Sequence, residues 1–432
     1  MINIIDFNMV QPRQILYGIS HARYLFSLFG YPLRSVVSSE ASILQKARQR
    51  FERIFFERTG LRQAIPLSKG RTGLYLLLKH LGKQSHANEV ILSPFTIFDV
   101  VNMVINAGKK PVFVDSISRQ TPHLSLEAIK KNHTDSTVAV LITHYATPNP
   151  EIQQIAQFCK AKGIFLVEDC AISLGTFVSG SHVGSFGDAA FFSFGLFKFI
   201  SVYYGGCLIL NNGASYLRNV IINNLTMWSP LPMASMLDYA WKGLKMSILT
   251  SNLIFPIVFQ LYRYGFNKKI RWITDSAKND PHPFLSGELP SSYKHSANQF
   301  QLSEYSRQLP KSFFDLRHRQ RIYSLYLELL GHLNRLNDYS SDVSPSNINF
   351  PVVASTLEEK RRLISHLMNH GFDVGEYFYR SCNTLKVFAD YHVSCPNLEH
   401  FSECVVTLPT HPRVSTQYAH ALATCVNRFY AS

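Results

Sequence analysis

Six short runs between Thr72 and Asn212 constrain the fold more than anything else in this chain: "EVIL", "PVFVD", "TVAVLITHY", "IFLVED", "AAFFSF" and "GCLIL". Each is apolar along most of its length rather than alternating, the pattern of a strand covered on both faces. Helical patterns such as "SLEAIKKN" and "EIQQIAQFCKAKG" separate some of them. The expectation is a mostly parallel sheet in an α/β layer fold, with ligands bound beyond the carboxyl ends of the strands.

At 432 residues the chain is long enough for a large core and two domains sharing a cleft. A hydrophobic share of 46% with 17% charged residues excludes disorder, and no repeat or low-complexity tract interrupts it. Lys and Arg exceed Asp and Glu by 43 to 29, for a formal charge of +14. That excess suits nucleotide-linked substrates, phosphorylated cofactors or anionic lipid headgroups; without a helix-turn-helix or RNA-binding signature, nucleic acid is not expected. The seven cysteines are scattered and odd in number, with no C-x-x-C pair, which fits a reducing compartment. The N-terminal residues lack the pattern of a signal peptide, so a cytoplasmic protein is expected.

Two residues at the ends of these runs suggest chemistry. Asp169 closes "IFLVED", and Lys198 follows "AAFFSF". Pyridoxal phosphate (PLP) needs a lysine amine for its aldehyde and a buried carboxylate to keep the pyridine nitrogen protonated. Lys198 and Asp169 suit those roles, with Glu168 pointing to the opposite face of its strand. "SKGRTGLYLLLKHLG" reads as a turn opening into a helix, whose free N–H groups suit a phosphate; Gly70, Arg71 and Thr72 are the candidates for that cradle. A plain helix cap by Ser68 or Thr72 is the alternative. His144 and Tyr145 end another strand and could line the cleft, although a satisfied core histidine is the simpler reading of His144. No His, Cys, Asp or Glu spacing points to a metal.

The strings "GRTGL", "SPFTIFDVV", "AGKKPVFVD", "VEDCAISLG", "GSFGDAAFFSFGLFK" and "YGG", resuming at "SANQFQLS" and "VVTLPTHPRVS", resemble the DegT/StrS sugar aminotransferases in order and near spacing. The resemblance implies a fold-type I PLP-transferase: a three-layer α/β large domain with a mostly parallel sheet, plus a smaller C-terminal α/β domain. It implies that Ser193 binds the cofactor phosphate, and that Asn298 reaches the phosphate of a neighbouring subunit in a homodimer. It further implies amino transfer, with glutamate the expected donor, to a keto nucleotide-sugar for polysaccharide or amino-sugar synthesis. Three positions depart from the family: Ile172 stands where a polar side chain would meet the cofactor, Ile97 where an aromatic ring would stack, and Gln301 where arginine is usual. Arg71 departs too, where a small residue is more common. These leave open a second reading, a non-catalytic relative that binds or regulates.

The expected organisation is a helical arm over 1–66, a PLP-binding domain over 67–226, an apolar insertion over 227–292, a return to the cofactor site over 293–312 and a small domain over 313–432. Related enzymes cross the insertion's position in far fewer residues. Within it, "MSILTSNLIFPIVFQL" (Met246 to Leu261) is too short and too polar for a membrane span. Its basic flanks leave two readings: helices packed on the protein itself or a dimer partner, or peripheral contact with the inner face of a membrane.

Overall fold

The computed structural model describes residues 40–81, 87–195, 198–202, 204–211, 214–251, 253–268, 270, 288–333, 342–375 and 379–431. Residues 1–39 of the expected arm and 271–287 of the insertion lie outside the described residues.

The apolar runs form the centre of the molecule. Strands β1 (Ile65–Leu67), β2 (Glu89–Leu92), β3 (Lys110–Phe113), β4 (Thr137–Thr143), β5 (Phe165–Asp169), β6 (Ala189–Ser193) and β7 (Gly206–Leu210) make one sheet in the order β1-β7-β6-β5-β4-β2-β3. The pairings from β3 to β6 are parallel, while β7 runs antiparallel to both β6 and β1. Side-chain alternation feeds different cores on the two faces of the sheet. Val90 and Leu92 enter one core and Ile91 a second; Val167 and Leu166 divide between the same two, while Leu208 enters the first and Ile209 a third. Burial on both faces explains why these strands are continuously apolar.

Helix α1 (Glu40–Thr59) forms within the expected arm, but the last part of that arm adds a strand to the sheet rather than more helix. "IPL" is too short to show a period, and Pro66 is tolerated because β1 is an edge strand. Helix α2 (Gly70–His80) follows β1 directly and packs on β6 and β7.

After β7 come the helix Leu217–Met227 and then, within the segment read as an insertion, α3 (Met233–Leu249) and α4 (Phe255–Asn267). Helix α5 (Gln299–Leu330) then runs unbroken through position 313, so the return segment and the start of the C-terminal part share one element. Its N-terminal half packs on α1, and its C-terminal half enters a fourth core with β8 (Asn349–Val353), α6 (Leu357–Asn369), β9 (Val405–Pro409) and α7 (Thr416–Ala431). Strands β8 and β9 pair antiparallel.

Candidate active site

Asp169 is the last residue of β5, and Lys198 lies just beyond the end of β6, its parallel neighbour. Adjacent parallel strands deliver their carboxyl ends to the same edge of the sheet, which is why residues far apart in the chain meet here. The Asp169 carboxylate is buried and accepts a hydrogen bond from the Ala171 N–H at 2.9 Å. Burial raises its pKa, opposed by that N–H, by the Lys198 charge and by His144. Burial lowers the pKa of Lys198; Asp169 works against the shift and Arg71 adds to it. The pair is therefore an acid and a base in electrostatic contact, both displaced towards neutrality.

Glu168 occupies the other face of β5 and has a structural task. Fully buried, it accepts from the N–H groups of Gly184 (2.7 Å), Phe186 (2.8 Å) and Gly187 (2.6 Å), and pairs with His144 Nε2 at 2.9 Å. His144 Nδ1 accepts from the Asn149 N–H, so Nε2 carries the proton towards Glu168. His144 is thus a satisfied core histidine. Tyr145 is likewise buried, with its hydroxyl donating to the Phe95 carbonyl at 2.7 Å.

The candidate phosphate end is built by close backbone approach. A Cβ on Gly70 would lie 2.5 Å from the Phe192 carbonyl oxygen and 3.4 Å from the Ser193 Cα; one on Gly206 would lie 2.4 Å from the Gly70 Cα. Only glycines let the start of α2 sit against the ends of β6 and β7. Gly70, Ser193 and Gly206 are thereby brought together. No side chain caps α2: neither Ser68 nor Thr72 takes that role, and Thr72 Oγ1 is buried with no hydrogen-bond partner. An orphaned hydroxyl in the first turn of a helix whose Gly70 lies against Ser193 at a strand end fits a phosphate. Arg71 pairs with Asp99 at the start of the helix Phe98–Asn106, and its guanidinium lies 5.9 Å from the Tyr293 ring centroid.

Asn298 caps α5. Its Oδ1 accepts from the Gln301 N–H, its Nδ2 donates to the Leu231 carbonyl, and Gln301 Oε1 closes a capping box on the Asn298 N–H. Reaching a neighbouring subunit's cofactor would require release of the Leu231 bond. Gln301 Nε2 donates to the carbonyls of Ser68 and Tyr204, tying α5 to both loops of the site. Ile172 is buried, and Ile97 sits at the cap of the Phe98–Asn106 helix.

Sequence reasoning missed Lys69. Its Nζ donates to the Ser292 carbonyl at 2.9 Å, and lies 4.0 Å from the Tyr293 and 5.2 Å from the Tyr204 ring centroid. Burial lowers its pKa to about 8, and Arg71 acts in the same direction. "SKGRTG" does carry a hint: two cations flank a glycine that must be tightly packed. The fold also assembles two groups with metal-ligand chemistry that spacing did not suggest, His144 with Glu168 and Cys170, and His366 with His370 and Cys425. The hydrogen bonds of His144 and Glu168 in the first are described above.

A three-layer α/β fold with Asp169 and Lys198 at the carboxyl edge of its sheet, beside a glycine-lined helix start, is an arrangement that fits a pyridoxal-phosphate-dependent aminotransferase. A model of the DegT/DnrJ/EryC1/StrS aminotransferase family matches residues 31–229 and 280–427, and the chain belongs to that family. It is 24% identical over 398 residues to GDP-perosamine synthase of Escherichia coli O157:H7, covering 91% of this chain and 92% of that protein. A GDP-perosamine synthase of Vibrio cholerae is 35% identical over 163 residues, which span 38% of this chain and 44% of that one. Among solved structures, Helicobacter pylori PseC, an aminotransferase involved in pseudoaminic acid biosynthesis, superposes with a TM-score of 0.68 at 18% identity, covering 98% of this chain and 99% of that one. A putative sugar aminotransferase, Spr1654 of Streptococcus pneumoniae in its PMP form, gives 0.69 at 18% identity, covering 98% of both chains.

Proposed function

We propose that this protein uses PLP to move an amino group from an amino acid, glutamate in our reading, to the ketone of a nucleotide-linked sugar. The coupling of Lys198 with Asp169 at one edge of the sheet carries the proposal. When bound, PLP supplies an aldehyde that accepts the amino group and a ring that takes up electrons. Lys198 Nζ, whose neutral fraction is enlarged by burial, would hold the cofactor and would carry a proton to and from the substrate carbon. Asp169, kept off bulk water, holds the proton of the ring nitrogen. Gly70, Arg71, Thr72 and Ser193 would hold the phosphate: Thr72 with its unpaired hydroxyl, Arg71 with a guanidinium already oriented by Asp99. Lys69 adds positive charge on the same side, which suits a doubly charged phosphate or the diphosphate of a nucleotide-sugar.

The relatives' names favour a sugar nucleotide, and the +14 charge agrees with a polyanionic substrate. The test is a transfer experiment with 15N-glutamate and candidate keto nucleotide-sugars, followed by mass spectrometry. A 15N-labelled amino-sugar formed by wild type and not by Lys198→Ala supports the reading. A cofactor-loaded wild type that leaves glutamate unconverted would refute the choice of donor. One that releases 2-oxoglutarate but aminates none of the sugars would refute the substrate class.

A further inference from the structure

The insertion presents an apolar surface that the proposed chemistry does not use. In α4, Phe255 and Phe259 enter the C-terminal core against Tyr323, Tyr326 and Phe350, anchoring the helix. Its opposite face is also apolar: Ile257, Leu261 and Tyr264 are 61%, 62% and 58% exposed at i, i+4 and i+7. Leu253, in the turn between the helices, is 84% exposed, and on α3 Trp241 and Ile248 are 57% and 49% exposed. A helix with one apolar face in the protein and a second in water normally has something covering the second.

Charge identifies that cover. From Met227 to Arg271 the only acidic residue is Asp238, and Lys242 pairs with it at 2.6 Å. Lys245, Arg263 and Lys268 stand on the same two helices or just past their ends without an acidic counterpart in the segment. Lys245 Nζ lies 5.3 Å from the Trp241 ring centroid. Exposed apolar side chains, Trp and Tyr among them, on two helices that also carry lysine and arginine match the boundary between acyl chains and anionic headgroups. A second copy of the chain fits less well, because a two-fold contact would set this basic segment against itself. Among the described residues no helix is long and apolar enough to cross a membrane. The family model leaves residues 230–279 unmatched, so the surface lies on an addition to the shared fold.

We infer that α3 and α4 seat this enzyme on an anionic lipid bilayer, with Leu253, Ile257, Leu261 and Trp241 entering the headgroup boundary. The inference is independent of the cofactor and the substrate. It is tested by flotation of the full chain with vesicles of phosphatidylcholine alone, or with one third phosphatidylglycerol, comparing wild type with two triple variants: Leu253→Glu/Ile257→Glu/Leu261→Glu and Lys245→Glu/Arg263→Glu/Lys268→Glu. Wild type should float with the anionic vesicles, roughly tenfold or more better than with phosphatidylcholine alone, and lose that preference as salt is raised. The apolar triple variant should fail to float on either, while keeping wild-type circular dichroism and transaminase activity, since none of the three touches the site. The charge triple variant should lose the preference for anionic vesicles. Wild type that stays unbound to both vesicles overturns the inference, as does an apolar variant that floats normally. If wild type does not float and the apolar variant halves the mass in analytical ultracentrifugation, the cover is a second copy instead.

Discussion

Adding one methyl group at Gly70 tests the construction of the proposed phosphate site. An alanine Cβ there would sit 2.5 Å from the Phe192 carbonyl oxygen, and ordinary contact begins at 3.4 Å. The start of α2 or the end of β6 must therefore give way by roughly 0.9 Å, and both are backbone. The opposing carbonyl lies within the β6–β7 pairing, and Gly70 N also donates to the Gly205 carbonyl at 3.1 Å. The helix start should move, at a cost of about 1–3 kcal/mol in stability. That movement carries the Arg71 and Thr72 end of the cradle away from Ser193, and misplacement on this scale weakens charge-assisted phosphate contacts by roughly 10- to 100-fold. Titration of the apoprotein with PLP, followed by cofactor absorbance, should show that loss for Gly70→Ala. Gly331→Ala, where the backbone is helical and a Cβ meets no atom within 4 Å, should bind PLP like wild type. If Gly70→Ala binds PLP as tightly as wild type and unfolds at the same denaturant concentration, the close approach does not build the cradle.

Glu168→Ala strands the buried N–H groups of Gly184 and Gly187, the half-buried one of Phe186, and His144, and should cost on the order of 4 kcal/mol or more in urea unfolding. Glu168→Gln should cost roughly half of that, because an amide oxygen still accepts; a loss below about 1 kcal/mol for the alanine variant would remove Glu168 as the organiser of the 184–187 loop. Lys69, whose pKa falls from an ordinary 10.5 to about 8 in the folded protein, binds fewer protons folded than unfolded between those values. Its contribution to apoprotein stability should therefore rise as pH increases through that window, and Lys69→Met should flatten the rise; an unchanged profile would contradict burial as the cause. Asp169→Asn removes the group that raises the Lys198 pKa, so acylation of Lys198 by a small neutral reagent should extend to lower pH, read by peptide mass spectrometry. A profile shifted upward would refute the coupling.

Much of this site is written in the chain because strand ends are local. Asp169 and Ser193 close apolar runs, and Lys198 lies just past one, so their convergence follows once the sheet is parallel. What could not be read there depends on long-range contacts. Strand β1 is three residues long and becomes visible only through its pairing with β7. The reversal of β7 leaves no mark on its own residues, which are as apolar as those of a parallel strand. Gln301 reads as a lost arginine until its amide is seen to bridge Ser68 and Tyr204. Lys69 gains meaning only from Tyr204 and Tyr293, more than a hundred residues away in sequence.

Two amines with lowered pKa stand in this cleft, Lys198 and Lys69, and the account assigns the cofactor to the first. The decisive measurement is borohydride reduction of the PLP-loaded protein, followed by proteolysis and mass spectrometry of the modified peptide. The account predicts a single reduced pyridoxyl group on Lys198. The same modification on Lys69, or none on Lys198, would contradict it.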